Sequence, residues 1–95
     1  MQQVNWDNLR YVLTVANKGS ISGAARELGV NRSTVLRRID AFQKSLDCRI
    51  FERSGSGYTL TVEAEKMIAA AREVESTLYN MQREIAGLEL RLDGE

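Results

Sequence analysis

The chain has 95 residues, enough for one small domain with a thin hydrophobic core. Its 13 basic and 13 acidic side chains cancel, and no stretch approaches the roughly 18 apolar residues of a membrane span. We therefore expect no membrane partner, and the N-terminus lacks the pattern of a signal peptide. Because the chain has no histidine, one cysteine (Cys48) and no metal-ligand spacing, we expect no disulfide, metal, cofactor or enzymatic activity.

The charged side chains are unevenly distributed along the chain. Residues 1–61 carry nine basic and five acidic side chains, a balance of +4, whereas residues 62–95 carry four basic and eight acidic ones, a balance of −4. A local basic surface attracts phosphate groups within about 10 Å whatever the charge elsewhere. The N-terminal part is therefore compatible with a nucleic-acid partner despite the zero net charge.

The first predicted helix follows Asn5, whose side chain can cap it, and runs through about Lys18 to Gly19. Asp7 lies in its first turn, where the helix dipole favours a negative charge. Apolar residues at helical spacing predict one shared face of this helix, which consists of Trp6, Leu9, Leu13 and Ala16, with Val12 beside it.

Residues 20–39 have the spacing of two short helices joined by a tight turn. Ser20 can cap a helix that runs to about Leu28, and Asn31 can cap the next one. Between them, Gly29 supplies the turn, since a residue without Cβ adopts a positive φ freely. The inward positions are Ala25, Leu28, Val30, Val35, Ile39, Phe42 and Leu46. This pattern predicts a helix-turn-helix, which places its second helix in the major groove of DNA.

After this motif the apolar period shortens from that of a helix to that of a strand. Residues 50–53 and 58–60 are short strand-like runs around the flexible sequence Ser54-Gly55-Ser56-Gly57. We therefore predict a mainly α fold: a three-helix winged helix-turn-helix with a small two-stranded β wing in residues 1–61, followed by a long dimerising linker helix.

That long helix is predicted over residues 62–92, with Thr61 as its cap and residues 93–95 as the start of a hinge. Its apolar residues recur at alternating intervals of three and four, a heptad pattern. A second copy of the chain is the simplest partner for a helix this long, so we expect a homodimer. The predicted dimer seam comprises Met67, Ala71, Val74, Leu78, Met81, Ile85 and Leu88, within a stripe from Ala64 to Leu92.

The outward side of the third helix predicts a DNA-contacting cluster. Arg37 shares a face with Ser33, and its guanidinium fork matches the acceptors of guanine in the major groove. The alternative is an ordinary solvated basic face. Asn31 and Ser20 are each open to a second role, as helix caps. The predicted DNA-contacting residues are Ser20, Asn31, Arg32, Ser33, Thr34, Leu36, Arg37, Arg38 and Arg53.

Two of these arginines have structural alternatives. Arg38 lies next to the core face, where it can contact phosphate or form an ion pair with Asp40 or Glu27. Arg53 enters the wing, where it can reach phosphate or a narrow minor groove, or pair with Glu52.

The pattern resembles the N-terminal DNA-binding domain of LysR-type transcriptional regulators over residues 6 to about 93. The matching residues are Leu9, Gly19-Ser20-Ile21-Ser22, Ala24-Ala25, Leu28, Ser33-Thr34-Val35, Arg37-Arg38-Ile39, Leu46, Ile50-Phe51, Arg53 and Leu60-Thr61. The resemblance implies a bacterial, cytoplasmic transcription factor whose linker helices pair into dimers, often assembled into tetramers. It also implies that a small effector acts only through a further domain, which this chain lacks.

Three positions depart from the family pattern. The family usually has Ser where this chain has Leu36, Leu-Glu where it has Phe42-Gln43, and Gly where it has Asp47. Leu36 bears on function because it makes only apolar contacts, for example with a thymine methyl group, where a Ser can hydrogen-bond.

The sequence therefore predicts sequence-specific binding of double-stranded DNA by a homodimer. Two recognition helices would enter the major grooves of an interrupted inverted repeat. The alternatives are a winged helix whose third helix binds protein, a coiled-coil assembly protein, and an architectural DNA binder without sequence preference.

Overall fold

The computed structural model describes residues 5–55 and 57–93, with the side chains of the last helix described through Leu88. The elements in chain order are α1 (Trp6–Lys18), α2 (Ile21–Leu28), α3 (Arg32–Leu46), β1 (Phe51–Ser54), β2 (Gly57–Leu60) and α4 (Val62–Asp93). The two strands form an antiparallel sheet, which we call the wing together with its turn. The predicted fold class, a winged helix-turn-helix followed by a long helix, is confirmed.

Helices α1 and α2 begin at the caps that the sequence predicted. The Asn5 Oδ1 atom accepts hydrogen bonds from the backbone N–H groups of Asp7 at 2.9 Å and Asn8 at 3.4 Å. The Ser20 hydroxyl oxygen accepts one from the backbone N–H of Gly23 at 2.9 Å. Each cap satisfies N–H groups that have no partner inside the helix, so the entry point of each helix is fixed by its side chain.

The first three helices all end at a residue in the left-handed conformation. Gly19 and Gly29 have φ values of 73° and 69°, as their predicted roles require. Asp47 ends α3 with a φ of 50°, and its backbone N–H donates to the Lys44 carbonyl at 3.2 Å. Asp47 is the one residue other than glycine with a positive φ in the described part of the chain, so an L side chain carries some strain there.

Helix α1 lies at the centre of the core, packed against α2, α3 and α4. Val12 and Val15 are fully buried and Tyr11 is nearly so. Trp6 lines a groove together with Leu9 and Leu13, as their shared helical face predicts, but its side chain is 61% exposed. As the first residue of α1, Trp6 lies at the rim, whereas the middle of α1 is surrounded by other helices. The predicted residues that are buried or pack on the core are Leu9, Val12, Leu13 and Ala16.

The beginning of α4 packs against the chain's own core. Ala64 and Ile68 are fully buried, Ala71 is nearly so, and Met67 packs against the same cluster. Ile68 follows Ala64 by one helical turn and lies off the predicted apolar stripe, since this face of α4 meets the first helices. Of the residues that the sequence assigned to a dimer seam, Ala71 is therefore buried and Met67 partly buried within the chain, and the exposed part of the stripe begins at Val74.

The rest of α4 carries an apolar stripe that the described chain leaves about half exposed. Its residues are between 39% and 52% exposed, and they are Val74, Leu78, Met81, Ile85 and Leu88. A groove of about 220 Å³ between α1 and α4 continues the stripe toward Trp6. The side chain of Leu92 and most of the predicted hinge lie outside the described residues. Within the described ranges, no helix has both the length and the apolar character needed to cross a membrane.

Candidate nucleic-acid interface

The outward side of α3 presents four exposed residues, which we call the recognition face: Arg32, Ser33, Leu36 and Arg37. The opposite side of the helix is anchored in the core by Val35, Ile39 and Phe42, which are 0%, 3% and 2% exposed. Because these three residues follow the helical period, they fix the rotation of α3 about its own axis. The recognition face therefore points away from the molecule along the first two turns.

The start of α3 is organised by one side-chain oxygen. Asn31 Oδ1 accepts hydrogen bonds from the Thr34 backbone N–H at 3.1 Å, the Thr34 hydroxyl at 2.8 Å and the Ser33 hydroxyl at 2.9 Å. This geometry supports the cap as the role of Asn31 rather than a base contact. It also leaves the Ser33 oxygen as an acceptor toward solvent, and it occupies the Thr34 N–H that a phosphate would otherwise bind.

Arg38 lies at the junction of α1 and α3, apart from the recognition face. Its Nη1 atom donates to Asn8 Oδ1 at 3.1 Å, and its guanidinium lies 5.3 Å from the centre of the Tyr11 ring. The sequence left open an ion pair with Asp40 or Glu27 as one alternative for Arg38. That alternative is not formed among the described residues, where Glu27 pairs instead with Lys18 at 3.1 Å. Arg38 Nε is buried without an acceptor among the described residues.

The structure thus places Arg38 among contacts that orient α3 on α1. Asn8 and Tyr11 are 8% and 6% exposed, so both are held firmly by their surroundings. Neither residue was predicted from the sequence, although a polar Asn8 within an apolar helix and a tyrosine three residues later, on the same face, were the available signals.

The wing carries the remaining predicted arginine. Arg53 is exposed and its guanidinium lies 5.9 Å from the centre of the Tyr58 ring, at a position directly across the sheet. Its alternative, an ion pair with Glu52, is absent from the described residues. Arg53 therefore stacks on the Tyr58 ring of the neighbouring strand while its charge faces solvent. This arrangement leaves the guanidinium accessible to an anion.

Ser20 is half-buried, and its hydroxyl oxygen is engaged by the Gly23 N–H as the α2 cap. This bond supports its structural role. Gln43, a departure from the family pattern with no role predicted from the sequence, accepts hydrogen bonds from the backbone N–H groups of Ile50 and Phe51 at the entry to the wing.

A protein-family model described as "Bacterial regulatory helix-turn-helix protein, lysR family" matches residues 6–65, nearly two thirds of the chain. The chain belongs to the lysR family. It is the helix-turn-helix DNA-binding domain of a transcriptional regulator. The named relatives are transcriptional regulators rather than enzymes.

Curated relatives agree with this assignment. The chain is 34% identical over 76 residues to the HTH-type transcriptional regulator YofA of Bacillus velezensis, covering 80% of this chain and 26% of YofA. It is 35% identical over 66 residues to the HTH-type transcriptional regulator ClcR of Pseudomonas putida, covering 70% of this chain and 22% of ClcR. The chain therefore spans about a quarter of the length of these relatives.

Solved structures share the fold. The CbnR DNA-binding domain in complex with DNA aligns with a TM-score of 0.75 and 27% identity, over 88% of this chain and 98% of that one. The BenM DNA-binding domain in its complex with benA site 1 DNA aligns with a TM-score of 0.80 over 90% of this chain and 99% of that one. The BenM match has 21% identity and bears on the fold alone.

Proposed function

We propose that this chain binds double-stranded DNA sequence-specifically by placing the first two turns of α3 in the major groove. The observation that carries the proposal is the recognition face: an exposed, partly basic surface on a helix whose opposite side is locked in the core. In the described residues neither Arg32 nor Arg37 forms an ion pair. Their guanidinium groups are free to meet guanine acceptors or phosphates. The solved DNA complex of the CbnR domain supports this reading.

The residues of the interface would contact different parts of the DNA, according to their chemistry. Arg32 and Arg37 would read guanine O6 and N7, and the Ser33 oxygen would accept a hydrogen bond from a base amine. Arg53 would contact phosphate or the narrow minor groove beside the half-site. Asn31 and Arg38 would act indirectly, because Asn31 caps α3 and Arg38 holds α3 on α1.

The same proposal includes a homodimer. The exposed apolar stripe of α4 extends from Val74 to Leu88 at heptad spacing, the pattern by which two helices cover each other. A two-fold dimer presents two recognition faces related by symmetry, so the target would be an interrupted inverted repeat. Its half-sites would lie about 10–10.5 base pairs, or a multiple of that distance, apart.

The relatives are about three times as long as this chain. We propose that tetramer formation and the response to a small effector reside in further parts of such a longer regulator. We infer that the protein acts in the cytoplasm, because its proposed target is bacterial chromosomal DNA.

The experiment that tests DNA binding is a salt titration of the chain with a labelled duplex, read by fluorescence anisotropy. The logarithm of the association constant should fall linearly with that of the salt concentration, with a slope of about −0.9 per neutralised phosphate. Contact with six phosphates would give a slope near −5. Absence of binding even at low salt would contradict the proposal and favour a helix-turn-helix that binds protein.

A further inference from the structure

The root of the wing is tied to α3 by one side chain. Gln43 Oε1 accepts hydrogen bonds from the backbone N–H of Ile50 at 2.8 Å and of Phe51 at 3.3 Å. Gln43 belongs to the helix that bears the recognition face, and Ile50 and Phe51 are buried. The N–H groups of the residues that enter β1 are therefore bonded directly to a side chain of α3.

The second strand is tied to the turn between α1 and α2. The Tyr58 backbone N–H donates to the Gly19 carbonyl at 3.0 Å. A Cβ atom on Gly57 would lie 2.9 Å from the same Gly19 oxygen, closer than real Cβ atoms approach. Because the neighbouring atom belongs to the backbone, no side chain can move aside, and only glycine permits this close approach.

The position of Arg53 depends on both attachments of the wing, the one to Gln43 and the one to Gly19. It pairs with Tyr58 across the sheet and lies over the Tyr58 ring. The Tyr58 ring in turn meets the buried Phe51 ring edge-on, with centres 6.2 Å apart. The charge of Arg53 is therefore connected to α3 through Phe51 and Gln43, and to the start of α2 through Tyr58.

We propose that Gln43 and Gly57 are positioning residues that hold Arg53 at a set distance from the recognition face. The wing and α3 then contact DNA as one rigid unit. Arg53 reaches the DNA without the entropy cost of ordering a flexible hairpin. Binding depends in consequence on the spacing between the base pairs read by α3 and the flanking backbone or minor groove. This inference rests on the proposed function, since it requires that the wing contact DNA.

A double-mutant cycle tests the coupling between the wing attachments and Arg53. We expect Arg53→Ala to weaken binding of the unaltered chain to its preferred duplex about tenfold, or about 1.4 kcal/mol. In a Gly57→Ala background the same change should cost less than about twofold. Gly87→Ala is the matched control, because a Cβ at that position meets nothing within 4 Å. The tenfold effect of Arg53→Ala should persist in that background.

Gln43 gives a second, independent arm of the test. Gln43→Leu removes the acceptor at similar volume, so it should also abolish the effect of Arg53→Ala. Gln43→Glu keeps an acceptor oxygen for both N–H groups and should preserve that effect. In each variant the base preference at the pair read by Arg37 should be unchanged, a result that general unfolding would not give.

The outcomes separate the two proposals. An Arg53→Ala penalty that stays tenfold in the Gly57→Ala and Gln43→Leu backgrounds would overturn the positioning inference while leaving DNA binding intact. No effect of Arg53→Ala in the unaltered chain would overturn the inference by removing the wing contact itself. Failure of the unaltered chain to bind any duplex would contradict the proposed function.

Discussion

Replacing Leu78 with Ala should weaken the homodimer without unfolding the protomer. Leu78 is 48% exposed in the single chain, so about half of its side chain remains to be buried when a second copy binds. Full burial of a leucine contributes about 1.5–3 kcal/mol, so this half contributes about 0.7–1.5 kcal/mol per copy. Two copies then account for about 1.5–3 kcal/mol, which raises the dimer Kd about 10- to 150-fold.

Sedimentation velocity over a concentration series measures this change directly. Ser76→Ala is the matched control, because Ser76 is exposed, lies two residues before Leu78 and faces the other side of α4. It should leave the Kd unchanged. Leu78→Lys should act more strongly than Leu78→Ala, since the seam would bury an unpaired charge. An unchanged Kd in both Leu78 variants would show that the exposed stripe of α4 is not the dimer seam.

Three further predictions concern the reader and its support. Arg37→Ala should weaken the free energy of DNA binding by about 1–3 kcal/mol and relax the preference at one base pair. The control Arg83→Ala, which removes the same charge from α4, should do neither. A loss of affinity that is uniform across sequences would identify a phosphate contact instead. If Leu36 packs on a thymine methyl group, replacing that thymine with uracil should weaken binding about fourfold, and Leu36→Ala should abolish the difference; equal sensitivity in the variant would disprove the contact. Asp47→Gly should raise the free energy of unfolding by about 0.5–1 kcal/mol, because glycine adopts the left-handed φ of 50° without strain. The melting temperature should rise by about 2–8 °C. Gly29→Ala should lower the melting temperature.

Local chemistry made the helix boundaries predictable. Asn5, Ser20 and Asn31 cap their helices through the hydrogen bonds that their side chains favour, and Gly19 and Gly29 adopt the positive φ that ends a helix. Such signals act within four residues, so they need no knowledge of the tertiary structure. The exposure of Arg32 and Arg37 followed in turn, because the apolar period fixed which side of α3 is buried.

Features that depend on distant parts of the chain were not predictable in this way. Arg38 bonds to Asn8, thirty residues earlier, and pairs with neither of the acids, Asp40 and Glu27, that one alternative had named. Ile68 is buried because the first turns of α4 rest on the helical core, which a heptad count along α4 alone does not reveal. The bond between Tyr58 and Gly19 joins the wing to a turn far away in sequence.

The measurement that tests sequence-specific dimeric recognition most directly is selection of bound duplexes from a random DNA pool with this chain, near physiological salt. The account predicts enrichment of an interrupted inverted repeat whose half-sites are related by two-fold symmetry. Enrichment of single half-sites would contradict the dimer while retaining the reader on α3. Binding without enrichment of any sequence would contradict specific recognition by the residues of α3.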